Sequence, residues 1–149
     1  MNYTKGNILE SNTEVIINPV NTVGVMGKGL ALQFKQKFPT NYKIYKEACQ
    51  NKTIDIGKLL LVDESNLERR KFIINFPTKK HWRNASKIEY IEEGLKDLVR
   101  IIKANTFESM AIPALGCGLG GLDWEDVKLL LEKYLRDIET IEITVFEPK

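Results

Sequence analysis

Short apolar runs alternate with longer segments of helical spacing along this chain, and glycine or proline stands at most of the boundaries. Glu14-Val-Ile-Ile-Asn18 is too short for a helix and rich in β-branched residues, which predicts a buried strand. Leu30 to Phe38 carries apolar residues at helical spacing, with Pro39 as its stop. A second helix is expected from about Asn41 to Cys49, before the turn-like Asn51-Lys52. Lys58–Val62 and Lys71–Phe76 predict two strands of a hairpin across the polar stretch 63–70. Ser86 with Glu89 reads as a capping box ahead of a helix with Ile88, Ile91, Leu95, Leu98, Ile101 and Ile102 as its apolar stripe. A strand at Ser109–Ala114 follows. The next helix is begun by Asp123, with Asp126 three positions later, and shows a face of Val127, Leu130, Leu131 and Tyr134. Ile141–Phe146 closes the series as an alternating strand. Strands interleaved with helices predict a single layered α/β domain over residues 1–149, with a ligand crevice at the carboxyl ends of the strands.

Glycine is concentrated where two of these strands should hand over to helices. Seven of the ten glycines lie in Asn18-Pro-Val-Asn-Thr-Val-Gly-Val-Met-Gly-Lys-Gly29 and Pro113-Ala-Leu-Gly-Cys-Gly-Leu-Gly-Gly121. Such loops let backbone N–H groups approach a ligand closely, and a helix N-terminus directly afterwards favours an anion. A phosphate-bearing ligand is therefore expected. Neither loop has the pattern of a nucleotide triphosphatase, and Gly24-Val-Met-Gly-Lys-Gly29 is not the Gly-x-Gly-x-x-Gly of a dinucleotide dehydrogenase, whereas Gly116 to Gly121 before a helix capped by Asp123 reads as a pyrophosphate cradle.

With 149 residues and 43% hydrophobic content, the chain is the size of one domain. It has no apolar leader and no run long enough to span a bilayer, so a cytoplasmic protein with no membrane partner is expected. Two cysteines and one histidine supply neither a disulfide framework nor a His-rich metal site. Cys49 reads as a small buried residue, and Cys117 lacks a neighbouring histidine to activate it. Seven basic residues and no acid fall between Arg69 and Lys87, leaving 15 basic and 20 acidic residues elsewhere. That imbalance predicts a cationic face for a polyanionic partner.

Asn18-Pro-Val-Asn21 with Gly27-Lys-Gly29, followed by Pro113-Ala-Leu-Gly-Cys-Gly118, strongly resembles the macrodomain family, whose members bind ADP-ribose. The resemblance runs from about Lys5-Gly-Asn-Ile-Leu9 to the final strand. Val23 to Lys35 and Asn75-Phe-Pro-Thr-Lys-Lys-His-Trp-Arg83 are similar to the macrodomains of DarG-type antitoxins, which remove ADP-ribose from thymidine in DNA modified by DarT-type toxins. This implies a three-layer α/β/α sandwich with a central mixed sheet. It also implies ADP-ribose, ADP-ribosylated single-stranded DNA and a DarT-type toxin as partners. The first loop, with Asn18, Asn21, Thr22, Val25, Met26, Gly27, Lys28, Gly29 and Leu30, would surround the distal ribose. Gly116, Cys117, Gly118, Leu119, Gly120 and Gly121 would hold the diphosphate. Asn7 and Ile8 would meet the adenine, Asn7 standing where relatives commonly carry aspartate.

Cleavage of an N-glycosidic bond to ribose leaves positive charge at the anomeric carbon and negative charge on the departing base. Neither glycine loop holds a carboxylate, which disfavours the paired-carboxylate route. The resemblance implies instead a lysine just after a strand and threonine, which falls on Lys79 after Thr78. Its partner aspartate position falls on Gly120. Lys79 and Asn21 are thus the expected catalytic pair. Lys79 would act either as a neutral nucleophile or as a cation that steadies the ribose hydroxyls or the leaving base. Asn21 would orient the distal ribose. Lys80, His81, Trp82, Arg83 and Lys87 would meet DNA, with Trp82 stacking on an unpaired base. Two other readings stay open: a reader that binds ADP-ribose without cleaving it, and a hydrolase of free derivatives such as the 1″-phosphate. No cofactor is implied.

Overall fold

The computed structural model describes all residues 1–149. In chain order it has β1 (Asn2–Thr4), a 3₁₀ turn at Ile8–Glu10, β2 (Val15–Val20), α1 (Gly29–Lys37), α2 (Pro39–Gln50) and β3 (Leu60–Asp63). Then come β4 (Phe72–Pro77), α3 (Ile88–Ala104), β5 (Ser109–Ile112), α4 (Trp124–Leu135) and β6 (Glu142–Phe146). The strands form one sheet in the order β1-β6-β5-β2-β4-β3. Only β3 runs antiparallel to its neighbour, in the predicted hairpin with β4.

The alternation of side chains along the central strands sorts the core into two layers. Val15, Ile17, Ile74, Phe76, Met110 and Ile112 pack against α3 and α4 through Ile91, Leu95, Leu98, Val127 and Leu131. Ile16, Ile73 and Ala111 face the other way, toward Phe34 and Phe38. Farther along that face, Val20 and Met26 pack with Tyr45 and Ala48 of α2. This is the expected three-layer α/β/α sandwich with a mixed sheet. Gly94 on α3 lets the helix settle on Phe76, whose ring fills the space a Cβ there would need. No helix is long and apolar enough to cross a membrane.

Several boundaries differ from the expectation for physical reasons. β2 continues through Pro19, because the Val20 carbonyl accepts from Thr78 N–H on the β4 side. Pro19 then turns its nitrogen toward β5, where pairing has already ended at Ile16. Pro39 opens α2 at its first turn as well as ending α1. The capping box does not form: Lys87 is the N-cap of α3 and makes no side-chain cap bond. Ser86 is held instead by the second glycine loop, donating its N–H to Gly120 O at 3.0 Å. β1 and the 3₁₀ turn, with three residues each, carry too little pattern to be read from sequence. Asp123 caps α4 as expected, accepting from Glu125 N–H at 2.9 Å.

The expected cationic face is divided. Arg69, Arg70 and Lys71 precede β4 while Lys79, Lys80, Arg83 and Lys87 follow it, so the strand puts the two groups about 20 Å apart at opposite ends of the sheet. Lys71 is also buried, and its ammonium donates to Ser11 O at 3.2 Å and Thr13 O at 2.7 Å.

Candidate functional site

The carboxyl ends of β2, β4, β5 and β6 open onto a cleft of about 1150 Å³, large enough to enclose most of a nucleotide-sized ligand. Its walls are the β2–α1 loop from Asn21 to Gly29, residues 78–79 and 82–85 after β4, and the β5–α4 loop from Pro113 to Gly120. Gly6–Ile8 and Phe146–Lys149 close one end. The first residues of α1 (Gly29, Leu30 and Ala31) line the cleft, and its N-cap Lys28 supplies no side-chain cap. Backbone N–H groups of that first turn are therefore available to an anionic ligand.

Asn21 organises the first loop. Its Nδ2 donates to Val25 O at 2.7 Å, and its Oδ1 accepts from Val23 N–H at 3.0 Å and from the Tyr45 hydroxyl at 2.7 Å. One amide N–H remains for a ligand. Burial pushes the Tyr45 phenol far above its ordinary range, so its hydroxyl stays a donor. Below the loop, Asn18 donates to Asn75 Oδ1 at 3.1 Å, and Asn75 and Asn41 exchange bonds at 3.1 and 2.9 Å. These three wholly buried amides tie β2, β4 and α2 together behind the first loop, outside the lining of the cleft.

The chain leaves β4 through buried Thr78 into Lys79, which lies on the cleft wall. The Lys79 ammonium stands 3.5 Å from Trp82 O, at the limit of a hydrogen bond. Thr22 stitches this segment to the first loop, its hydroxyl donating to Lys80 O at 2.7 Å and its N–H at 3.3 Å. Trp82 is 42% exposed, stacks on His81 with centroids 5.1 Å apart, and carries the Arg83 guanidinium 4.6 Å from its ring centre.

The second loop is held tightly from behind. Gly116 O accepts from Leu122 N–H at 2.9 Å, and Gly118 O from Gly121 N–H at 3.2 Å. A Cβ on Gly120 would overlap Ser86 Oγ and come 2.5 Å from Gly116 O, so this position admits no side chain in this loop conformation. Cys117 is half-buried, and burial with the nearby Asp123 charge pushes its thiol up to about 11. It stays protonated at neutral pH, which removes it as a nucleophile.

Residues 17–131 match the family model described as the Macro domain. This chain is a macrodomain. It is 49% identical over 148 residues to the DNA ADP-ribosyl glycohydrolase of Thermus aquaticus, covering 99% of this chain and 41% of that protein. The chain thus spans about two fifths of the length of that relative. The solved macrodomain of Mycobacterium tuberculosis DarG superposes with a TM-score of 0.95 at 46% identity, over 99% of this chain and 97% of that one. Thermosipho africanus DarTG, solved in complex with ADP-ribose, superposes with a TM-score of 0.91 at 40% identity, over 99% of this chain and 42% of that one.

Most residues expected at the ligand line the cleft of this macrodomain: Asn7, Ile8, Asn21, Val25, Gly27, Lys28, Gly29, Leu30, Lys79 and Gly116 through Gly120. Asn18, Thr22, Met26 and Gly121 do not. Asn18 and Met26 are buried beneath the loop, Thr22 faces the Lys80 carbonyl, and Gly121 turns into the start of α4. Asn7 already accepts from Leu9 N–H at 3.0 Å as the cap of the 3₁₀ turn. Of the five residues expected at DNA, Trp82 and Arg83 line the cleft, whereas Lys80, His81 and Lys87 stand outside it. His81 Nδ1 accepts from Arg83 N–H at 3.1 Å, a bond that shapes the turn.

The cleft also holds residues that the sequence did not mark. Asn84 and Ala85 follow the cationic turn, and Phe146 and Glu147 arrive from the end of β6. Glu147 brings one carboxylate to a cleft whose glycine loops have none, with its Oε2 accepting from Trp124 Nε1 at 3.3 Å. Nothing local signals Phe146 and Glu147, since only the pairing of β6 beside β5 brings them to the crevice.

Proposed function

We propose that this macrodomain is a DNA ADP-ribosyl glycohydrolase that removes ADP-ribose from thymidine in single-stranded DNA and so counteracts a DarT-type toxin in the cytoplasm. One observation carries the reading: Lys79 shares a cleft wall with Trp82 and Arg83, so an amine, a partly exposed indole and a guanidinium meet at one opening. The relatives named as DNA ADP-ribosyl glycohydrolases and the DarTG complex with ADP-ribose support the same substrate class.

In this reading the glycine loops and the first turn of α1 hold the diphosphate and distal ribose, leaving the anomeric carbon facing Lys79. The bond from that carbon to the thymine nitrogen breaks, and its electron pair passes to the base, where the imide delocalises it. Water supplies the hydroxyl on the ribose carbon and the proton on the base. Lys79 assists either by attacking the carbon first or by stabilising the departing base as a cation. The delocalised leaving group lowers the need for a strong acid, consistent with a loop that has no room for a side chain at Gly120.

The test is release of ADP-ribose from a thymidine-ADP-ribosylated oligonucleotide by the wild type and by Lys79→Ala, with calorimetric binding of ADP-ribose to both. Release by the wild type alone, at similar affinity, is expected. Binding without release by either protein would make this macrodomain a reader, or a hydrolase of another ADP-ribose conjugate.

A further inference from the structure

Tyr45 does not line the cleft, yet its hydroxyl anchors the first glycine loop. The residue is wholly buried on α2, packed with Val20, Met26, Ala48 and Ile54. Its single hydroxyl proton is shared between Asn21 O at 2.9 Å and Asn21 Oδ1 at 2.7 Å. The next residue, Thr22, grips Lys80 O through its hydroxyl at 2.7 Å and its N–H at 3.3 Å. Asn21-Thr22 is therefore a strap, fastened at one end to the interior of α2 and at the other to the peptide that follows Lys79. A phenylalanine would fill the same apolar space, so packing alone does not require the hydroxyl.

We infer that Tyr45 is a positioning residue, acting through the Asn21-Thr22 strap to hold Asn21 and Lys79 in register across the cleft. The consequence for turnover rests on the glycohydrolase reading above. Asn21 keeps its bonds to Val23 and Val25 without the phenol, but the strap loses its fixed end and leaves a buried carbonyl short of its donor. A small displacement of groups that must meet one carbon slows the chemical step more than it weakens a ligand held at many points.

The experiment compares Tyr45→Phe, Thr22→Val and Thr22→Ser with the wild type. It measures kcat and KM for ADP-ribose release from the modified oligonucleotide, calorimetric affinity and stoichiometry for ADP-ribose, and amide hydrogen exchange at Thr22. Tyr45→Phe and Thr22→Val are each expected to lower kcat about tenfold, with the ADP-ribose Kd changed less than about threefold at full stoichiometry. Thr22→Ser, which keeps the hydroxyl, should restore most of the rate. The Thr22 amide should exchange about tenfold faster in Tyr45→Phe, as its acceptor becomes less fixed. Unchanged kcat, a kcat decrease that only tracks a smaller binding-competent fraction, or unchanged exchange at Thr22 would each overturn the inference. If the wild type releases nothing, the glycohydrolase reading fails by itself, and exchange at Thr22 still decides whether Tyr45 holds the strap.

Discussion

Ser86 Oγ occupies the space that a side chain on Gly120 would need, although the two residues are far apart in sequence. Ser86 N–H also donates to Gly120 O at 3.0 Å, so the start of α3 is buttoned to the second glycine loop. Gly120→Ala is expected to destabilise the fold by about 1–3 kcal/mol, the usual range for overpacking. The effect should show as a lower urea midpoint at unchanged slope. Combining it with Ser86→Gly should recover part of the stability, but not all, because Gly116 O also stands in the way. A Gly120→Ala protein as stable as the wild type would refute this account of the loop.

The rim of the cleft makes a separate prediction about nucleic acid. Trp82→Ala should raise the KM for the modified oligonucleotide about tenfold while leaving the affinity for free ADP-ribose nearly unchanged, because one stacked base contributes about 1–3 kcal/mol. Arg83→Glu should weaken the oligonucleotide and lower the slope of log affinity against log salt by about 0.7 for each phosphate that the arginine neutralises. Arg69→Glu, at the other end of β4, should leave both quantities unchanged. Equal effects at Arg69 and Arg83 would mean diffuse attraction and no defined DNA path.

Cys117 lies in the loop proposed for the diphosphate, with its thiol pushed up to about 11 by burial. In a Cys49→Ala background, its reaction with iodoacetamide should be slow at pH 8 and rise with a midpoint near pH 11. Mass spectrometry against pH measures this directly. A midpoint below the ordinary thiol value near 9 would restore Cys117 as a nucleophile candidate.

Lys71 gives a pH dependence whose sign can be worked out. Burial, with repulsion from Arg69 and Lys37, lowers its amine from 10.5 to about 8. Between those values the unfolded chain binds more protons than the folded one, so this residue's contribution to stability rises with pH across that window. The stability of the wild type relative to Lys71→Met should therefore increase by roughly 1–3 kcal/mol from pH 7 to pH 10. Urea unfolding at several pH values reads the difference, and a flat or falling one would contradict the assignment.

Local pattern decided much of this protein. Runs such as Val15-Ile-Ile17 and the stripe from Ile88 to Ile102 announced their elements because burial imposes a period on the side chains. The two glycine loops were legible for the same local reason, since a backbone that must approach a ligand excludes bulk within a few residues. Gly29 and Gly116 could thus be placed at a ligand crevice from local sequence, whereas Lys79 was placed there only by the resemblance to the macrodomain family.

What the tertiary structure alone decided depends on interactions between distant segments. Strand direction sent Arg69 and Lys79 to opposite ends of the sheet, though they sit in one basic run. Pairing of β6 with β5 carried Glu147 to the cleft, and register across β2 and β4 buried Asn18 against Asn75. Ser86 left its expected capping role for the glycine loop, and Tyr45 took hold of Asn21. Each outcome was set by packing and hydrogen bonding between elements, which a one-dimensional pattern does not encode, whereas period and backbone permissiveness are properties of neighbouring residues and can be read along the chain.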